Sequence, residues 1–350
     1  MEGIVFMLRG ITIRNAPLYD SMGRDVVCKV CERRCRIPPS KRGFCGTKIN
    51  IDGSLYTLVY GDLSAMESRP IEIKPFYHYW PGSSAMTIST WSCNFRCPWC
   101  QNWHLSRRLP DPSTATYVAP ELVIERAKRA GDRGICVSFN EPTMLFEYSL
   151  DLFRLAKGEG MYCCFVSNGY MTKEALKMLC SSGMDGLKID IKGGERAYKE
   201  FVGSADWRVP WRNARLALTL GIHVEIVYLI VPGVNDSEED ITLAVEMHLR
   251  ELGPDVPLHF TRYFPAHLYA EPPTPIEKLE YARNMAMEAG INFVYIGNVL
   301  GHEGENTYCP DCGKLLIKRF GPRVVEFHLT EEKECPRCGR HIPIRGELMA

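Results

Sequence analysis

From about residue 83 to residue 300, short β-branched runs alternate with longer amphipathic ones, the pattern of parallel strands linked by helices. Six runs read as strands: Met86 to Thr90, Ile135 to Phe139, Tyr162 to Val166, Gly186 to Ile191, Ile222 to Ile230 and Leu258 to Tyr263. Helices are predicted to begin at Pro120, where proline's missing N–H costs least, and at an N-cap Thr172, with a stop at Gly183. A third begins at Ser237, with Asp240 three residues on as in a capping box. Six strand–helix units running one way give an α/β fold, a partial (β/α)6 TIM-like barrel. Residues 1–55 lack either periodicity, and the last fifty residues hold a short β-rich segment between paired cysteines. The chain is therefore expected to divide into a Cys-rich N-terminal module (1–55), the part-barrel (56–300) and a small C-terminal module (301–350), with no internal repeat.

Within the predicted strands the polar positions fall in phase. Leu187, Ile189 and Ile191 point one way and Lys188, Asp190 and Lys192 the other. Helices cover the outer face of a parallel barrel, so the charged set is expected to face the lumen, where it needs partners. His223 and Glu225 share a phase, as do His259, Thr261 and Tyr263. Such a lumen suits a polar, zwitterionic ligand.

Composition narrows the partners. With 42 Lys+Arg against 42 Asp+Glu and 45% apolar residues, the chain has no global field to draw in nucleic acid or an anionic membrane. Its apolar runs, such as Ile226 to Val231, fall far short of the ~20 residues of a membrane span. Gly3 to Leu8 is apolar, but Glu2 and Arg9 bound it, so no secretory signal is expected and the compartment is expected to be cytoplasmic. Of 15 cysteines, 11 fall into three tight groups, which points to metal in a reducing compartment rather than to disulfides. Cys136, Cys163, Cys164 and Cys180 stand apart and read as buried thiols. Eight basic and two acidic residues lie between Arg24 and Lys48. This local excess is expected to offset metal-bound thiolates or line a solvated face before it serves a nucleic-acid site.

The central group, Cys93, Cys97 and Cys100, follows the first predicted strand as C-x3-C-x2-C. Three thiolates are one too few for a cubane whose four irons each take a protein ligand, so one iron is left open. A zinc site completed by His104 is the alternative, but it leaves the strand-end location and Trp99 unexplained. Polar motifs recur at later strand ends: Asn140-Glu141-Pro142, Ser167-Asn168-Gly169, Asp190-Ile191-Lys192 and the turn through Asn235-Asp236. A barrel gathers such ends over its active site. Near the C-terminus, Cys309-Pro310-Asp311-Cys312 and Cys335-Pro336-Arg337-Cys338 form two knuckles suited to a closed tetrahedral Zn²⁺, as in a zinc ribbon, or to rubredoxin-like iron. The N-terminal set, Cys28, Cys31, Cys35 and Cys45, fits zinc, the simpler expectation, or a second [4Fe-4S] cluster relaying electrons to the first. Phosphate-loop, serine-hydrolase and zincin motifs are absent from the sequence.

The three-cysteine motif, with an aromatic before its last cysteine, resembles the radical S-adenosylmethionine (SAM) superfamily. The resemblance implies a [4Fe-4S] cluster on Cys93, Cys97 and Cys100 whose open iron chelates the amino and carboxylate groups of SAM. It also implies reductive cleavage of SAM and hydrogen abstraction by the 5′-deoxyadenosyl radical. By resemblance, Glu141 corresponds to the glutamate of the Gly-Gly-Glu-Pro segment that helps hold the methionine amino group, with Phe139 and Asn140 where the glycines would stand. Asn168, Asp190 and Lys192 resemble ribose- and carboxylate-contacting residues of activating enzymes, and Trp99 would lie along the adenine. His259 is a further cofactor-binding candidate, though a lone histidine is more often a satisfied core residue. Arg42-Gly43-Phe44-Cys45-Gly46, Lys74-Pro75-Phe76-Tyr77-His78, Cys97 to Trp103 and Asn306 to Pro310 extend the likeness over nearly the whole chain. Together they are similar to the radical SAM enzyme of the AmmeMemoRadiSam system, related to pyruvate formate-lyase activating enzymes. That likeness implies Memo-like and AMMECR-type partner proteins and a low-potential electron donor. It leaves the substrate open, a small molecule or a protein, with activation of a glycyl-radical enzyme as a variant. The two cysteine-rich modules also allow a non-catalytic zinc-binding adaptor that engages protein or RNA.

Overall fold

The structure, a computed structural model, describes residues 11–349; Gly3 to Leu8, read above for a leader, lies outside them. The chain forms two compact units, whose described residues are 11–68 with 85–185, and 69–84 with 186–349.

The first unit begins with two small antiparallel sheets. Asp25–Cys28 pairs with Tyr19–Met22 and Arg36–Ile37, and Ser54–Thr57 pairs with Arg14–Asn15 and Lys48–Ile51. The basic residues here are largely used internally: Lys48 forms a buried ion pair with Glu147 at 2.5 Å, and Arg36 pairs with Asp25 at 2.7 Å. Three strand–helix units follow: β1 (Ser84–Ser89), α1 (Pro120–Ala130), β2 (Gly134–Val137), α2 (Phe146–Gly158), β3 (Tyr162–Ser167) and α3 (Lys173–Ser181). β2 pairs in parallel with both β1 and β3. Gly134 sits where any Cβ would fall 2.1 Å from the Tyr162 ring, so glycine permits the register. Pro120 starts α1 and Gly131, in the left-handed conformation, ends it. Thr172 caps α3 by accepting from Ala175 N at 3.0 Å. Cys136, Cys163 and Cys164 are fully buried, as their apolar runs predict.

The second unit continues the alternation with β4 (Gly186–Ile191), α4 (Arg208–Thr219), β5 (His223–Ile230), α5 (Glu238–Leu252), β6 (Leu258–Arg262), α6 (Ile276–Glu288) and β7 (Val294–Gly297). The four strands are parallel in the order β4-β5-β6-β7. All six expected strands are present with ends shifted by a residue or two, and β7 is an addition. The terminal segments Thr307–Tyr308, Leu315–Phe320 and Arg323–Phe327 form an antiparallel meander. Its Leu316 and Ile317 share a core with Tyr77, Phe293, Tyr295, Cys309 and Cys335. Among the described residues no helix is long and apolar enough to cross a membrane.

Candidate active site

β1 delivers the chain to the loop carrying Cys93, Cys97 and Cys100, and arginines fix the loop's carbonyls. Arg96 Nη1 donates to Cys93 O at 2.9 Å, while Arg107 donates to Phe95 O at 2.9 Å and to Cys97 O at 2.8 Å. From the end of β2, Asn140 Nδ2 donates to Ser92 O at 2.7 Å and its Oδ1 accepts from Thr90 N at 3.3 Å. Asn102 Nδ2 in turn donates to Phe139 O at 2.7 Å. Phe139 has φ +67°, so this residue keeps the left-handed turn that glycine would make without strain.

Glu141 joins the ends of β2 and β3. Its Oε1 accepts from Thr143 Oγ1 at 2.5 Å and Ser167 Oγ at 2.8 Å, and its Oε2 accepts from Asn168 N at 2.8 Å. Burial raises its carboxyl above the ordinary range, against the pull of these donors. Asn168 Nδ2 donates to Asn94 Oδ1 at 2.7 Å and lies 4.0 Å from Cys93 Sγ. Phe95 N–H donates to the same sulfur at 3.3 Å. Burial, and next the charge of Glu141, push the Cys93 thiol far up. A bare thiolate is disfavoured there, while a sulfur whose proton is displaced by a metal fits, and the amide donor supports it. Cys100 Sγ is 3.2 Å from Ser106 Oγ. Trp99 is buried and His104 exposed.

Asp190, Lys192 and His259 belong to the second unit. Lys188 is buried and pairs with Asp190 at 2.7 Å, and Lys192 lies 3.9 Å from the same carboxylate. Burial alone would raise Asp190, but the two ammonium groups outweigh it and hold the carboxyl below its usual value. His259 Nε2 is 2.7 Å from Glu225 Oε2, and His223 Nε2 is 2.9 Å from Oε1. Tyr77 N and His78 N also donate to Glu225. The in-phase strand residues thus partner one another, and His259 is committed to Glu225. At the carboxyl ends of β6 and β7 a cavity of about 240 Å³ is lined by Glu72, Tyr77, Thr261, Gly297, Asn298 and Glu305 among others.

In the terminal module the sulfurs of Cys309, Cys312, Cys335 and Cys338 all lie within 4.8 Å of one another. Cys309 and Cys338 are 3.5 Å apart, and Cys312 and Cys335 3.6 Å. A metal bound tetrahedrally at about 2.3 Å separates its sulfurs by roughly 3.8 Å, so the group can bind one metal ion.

Sequence reasoning missed Arg96, Arg107, Thr143, Glu72 and Glu305. One had a readable signal: Thr143 lies two residues after Glu141. The others act on backbone carbonyls or line a cavity made by distant segments.

Comparison with known proteins bears on the same loop. The family model for the Radical SAM superfamily matches residues 87–244, from within β1 to within α5. An uncharacterized protein of Methanocaldococcus jannaschii is 41% identical over 336 residues, covering 95% of this chain and 99% of that one. The pyruvate formate-lyase-activating enzyme of Streptococcus mutans is 26% identical over 157 residues, 43% of this chain and 60% of its own. Among solved structures, Streptococcus suis SuiB bound to S-adenosylmethionine is 13% identical with a TM-score of 0.49, covering 61% of this chain and 51% of that one. With a three-cysteine loop at the end of a parallel strand and the family match running across it, the chain belongs to the radical SAM superfamily and is an enzyme of that type, with its mixed α/β fold.

Proposed function

We propose that Cys93, Cys97 and Cys100 hold a [4Fe-4S] cluster with one iron open to SAM, and that the enzyme removes a hydrogen atom from a small molecule or a partner protein. The observation that carries this reading is the loop itself: three thiols, carbonyls fixed by two arginines, and a wall of Asn140, bonded to Ser92 and Thr90, with Glu141 and Asn168, bonded to each other. When bound, cluster and SAM together supply one-electron cleavage of the sulfonium bond and a hydrogen-abstracting radical. The chain's own residues do the holding. Arg96 and Arg107 place positive charge beside the thiolates, and the Phe95 N–H stabilises the Cys93 sulfur. Glu141 offers a desolvated carboxylate to the methionine amino group. Asp190, Lys192 and Asn168 offer polar contacts to carboxylate and ribose, and Trp99 an apolar face to the adenine.

Two finer readings follow. The Streptococcus mutans relative supports an activating-enzyme reaction on a protein backbone, and the segments from Arg42 to Gly46 and Asn306 to Pro310 support the AmmeMemoRadiSam branch, with Memo-like and AMMECR-type partners. The terminal four-cysteine group is proposed to hold zinc in a structural role. Metal analysis of Cys97→Ala after anaerobic reconstitution tests the ligand assignment. The variant is predicted to lose about four irons per chain and keep the terminal metal. Undiminished iron at the central site would show that Cys97 is not a ligand.

A further inference from the structure

The N-terminal cysteines and the central ones meet at one side chain. Asn94 Oδ1 lies 3.8 Å from Cys93 Sγ, the buried Asn94 amide nitrogen has no hydrogen-bond partner among the described residues, and the Asn94 side chain interacts with the Cys31 thiol. One side chain therefore neighbours a sulfur of each set. The surrounding backbones are tied in the same way. Ser92 Oγ donates to Cys45 O at 2.5 Å, Arg33 Nε to Asn94 O at 2.5 Å, and Arg96 Nη2 to Phe44 O at 3.0 Å. The guanidinium groups of Arg33 and Arg96 both stack on the Phe44 ring.

The N-terminal sulfurs also have donors beside them. Cys45 lies within electrostatic reach of Cys28, Cys31 and Cys35. Phe44 N donates to Cys35 Sγ at 3.4 Å, and Thr47 Oγ1 is 3.2 Å from Cys45 Sγ. Such donors favour thiolates far more than neutral thiols. The set's far edge reaches the surface at half-buried Cys35 and exposed Phe44.

We propose that Cys28, Cys31, Cys35 and Cys45 hold a second, redox-active [4Fe-4S] cluster, the entry point for the electron that reaches the central site past Asn94. This goes against the simpler expectation of zinc. A structural ion has no need of such close ties to the central loop, whereas an electron carrier does. The step balances as one electron: a low-potential one-electron donor outside the chain is oxidised, the N-terminal cluster is reduced and then reoxidised, and the central cluster is reduced. No proton or bond is transferred. The inference rests on the proposed central cluster only for the electron's destination.

The test compares the full chain with a variant carrying Cys93→Ala, Cys97→Ala and Cys100→Ala, each reconstituted anaerobically with iron and sulfide. The variant is expected to retain about four irons and four sulfides and to give a reduced-cluster electron paramagnetic resonance signal with dithionite. In the parent, that signal should be broadened by coupling to a second reduced cluster, and the broadening should be lost in the variant. A variant that keeps its terminal metal, and so is folded, yet binds no iron would overturn the second cluster while leaving the central reading intact. Equal iron in parent and variant would instead support the N-terminal cluster and remove the central one. Asn94→Leu is expected to keep both irons' complements and slow reduction of the central site. An unchanged rate would overturn the route past Asn94.

Discussion

Two buried carboxylates show how differently this fold treats the same group. Glu141 spends its oxygens on Thr143, Ser167 and Asn168, so Glu141→Gln turns one acceptor into a donor facing donors, at a cost of about 1–3 kcal/mol. The variant is predicted to melt lower, keep its cluster and bind SAM more weakly. Unchanged affinity in a SAM titration would remove Glu141 from the binding site. Glu72 has fewer donors, and burial pushes it from 4.5 up to about 7. The folded state therefore holds a proton that the unfolded chain has released in that interval. The stability associated with this proton is fully present below the unfolded value and is lost as pH rises through about 7. Glu72→Gln keeps the size and can still accept from Gly82 N, as Glu72 does at 2.7 Å. Thermal melts should show the variant more stable than the parent at about pH 8, by roughly 1–3 kcal/mol, with the difference vanishing near pH 4. A difference independent of pH would contradict the assignment. Glu141 was legible in sequence because its motif is local. Glu72 was not, because its environment also depends on Arg319 and Glu225, far along the chain.

At the scale of elements, the turn after β2 carries the clearest prediction. Phe139 holds a left-handed backbone at φ +67°, where a side chain costs about 1 kcal/mol relative to glycine. Comparing Phe139→Gly with Phe139→Ala removes the ring in both and isolates the backbone. The glycine variant is predicted to be more stable by about 1 kcal/mol in denaturant melts, and the reverse order would show that the turn relaxes. Elements with strong local signals were readable: β4 has its expected limits, and the caps at Thr172 and Ser237 start α3 and α5. What escaped had weak signals for identifiable reasons. In α2 the first five residues, Phe146 to Leu150, are all buried, so the polar face shows only from Asp151 onward. β7 is four residues long, and the N-terminal strands run from two to four, too short for alternation to declare itself.

For the whole molecule, three cysteine sets are proposed to divide the labour: one to hold the terminal module, one to face SAM, and one to feed it. The sets were visible in the sequence as spacing, and the superfamily as a motif at a strand end. What spacing could not give was the tie between the N-terminal segment and the central loop through Ser92, Arg33 and Arg96, made by residues far apart in the chain. The measurement that bears most directly on the account is made on the anaerobically reconstituted full chain, loaded with iron and sulfide, reduced with dithionite and mixed with SAM. Chromatography should find 5′-deoxyadenosine accumulating in the parent and absent from Cys97→Ala. A fully loaded parent that leaves SAM intact, or a Cys97→Ala protein that cleaves it equally well, would contradict the central claim.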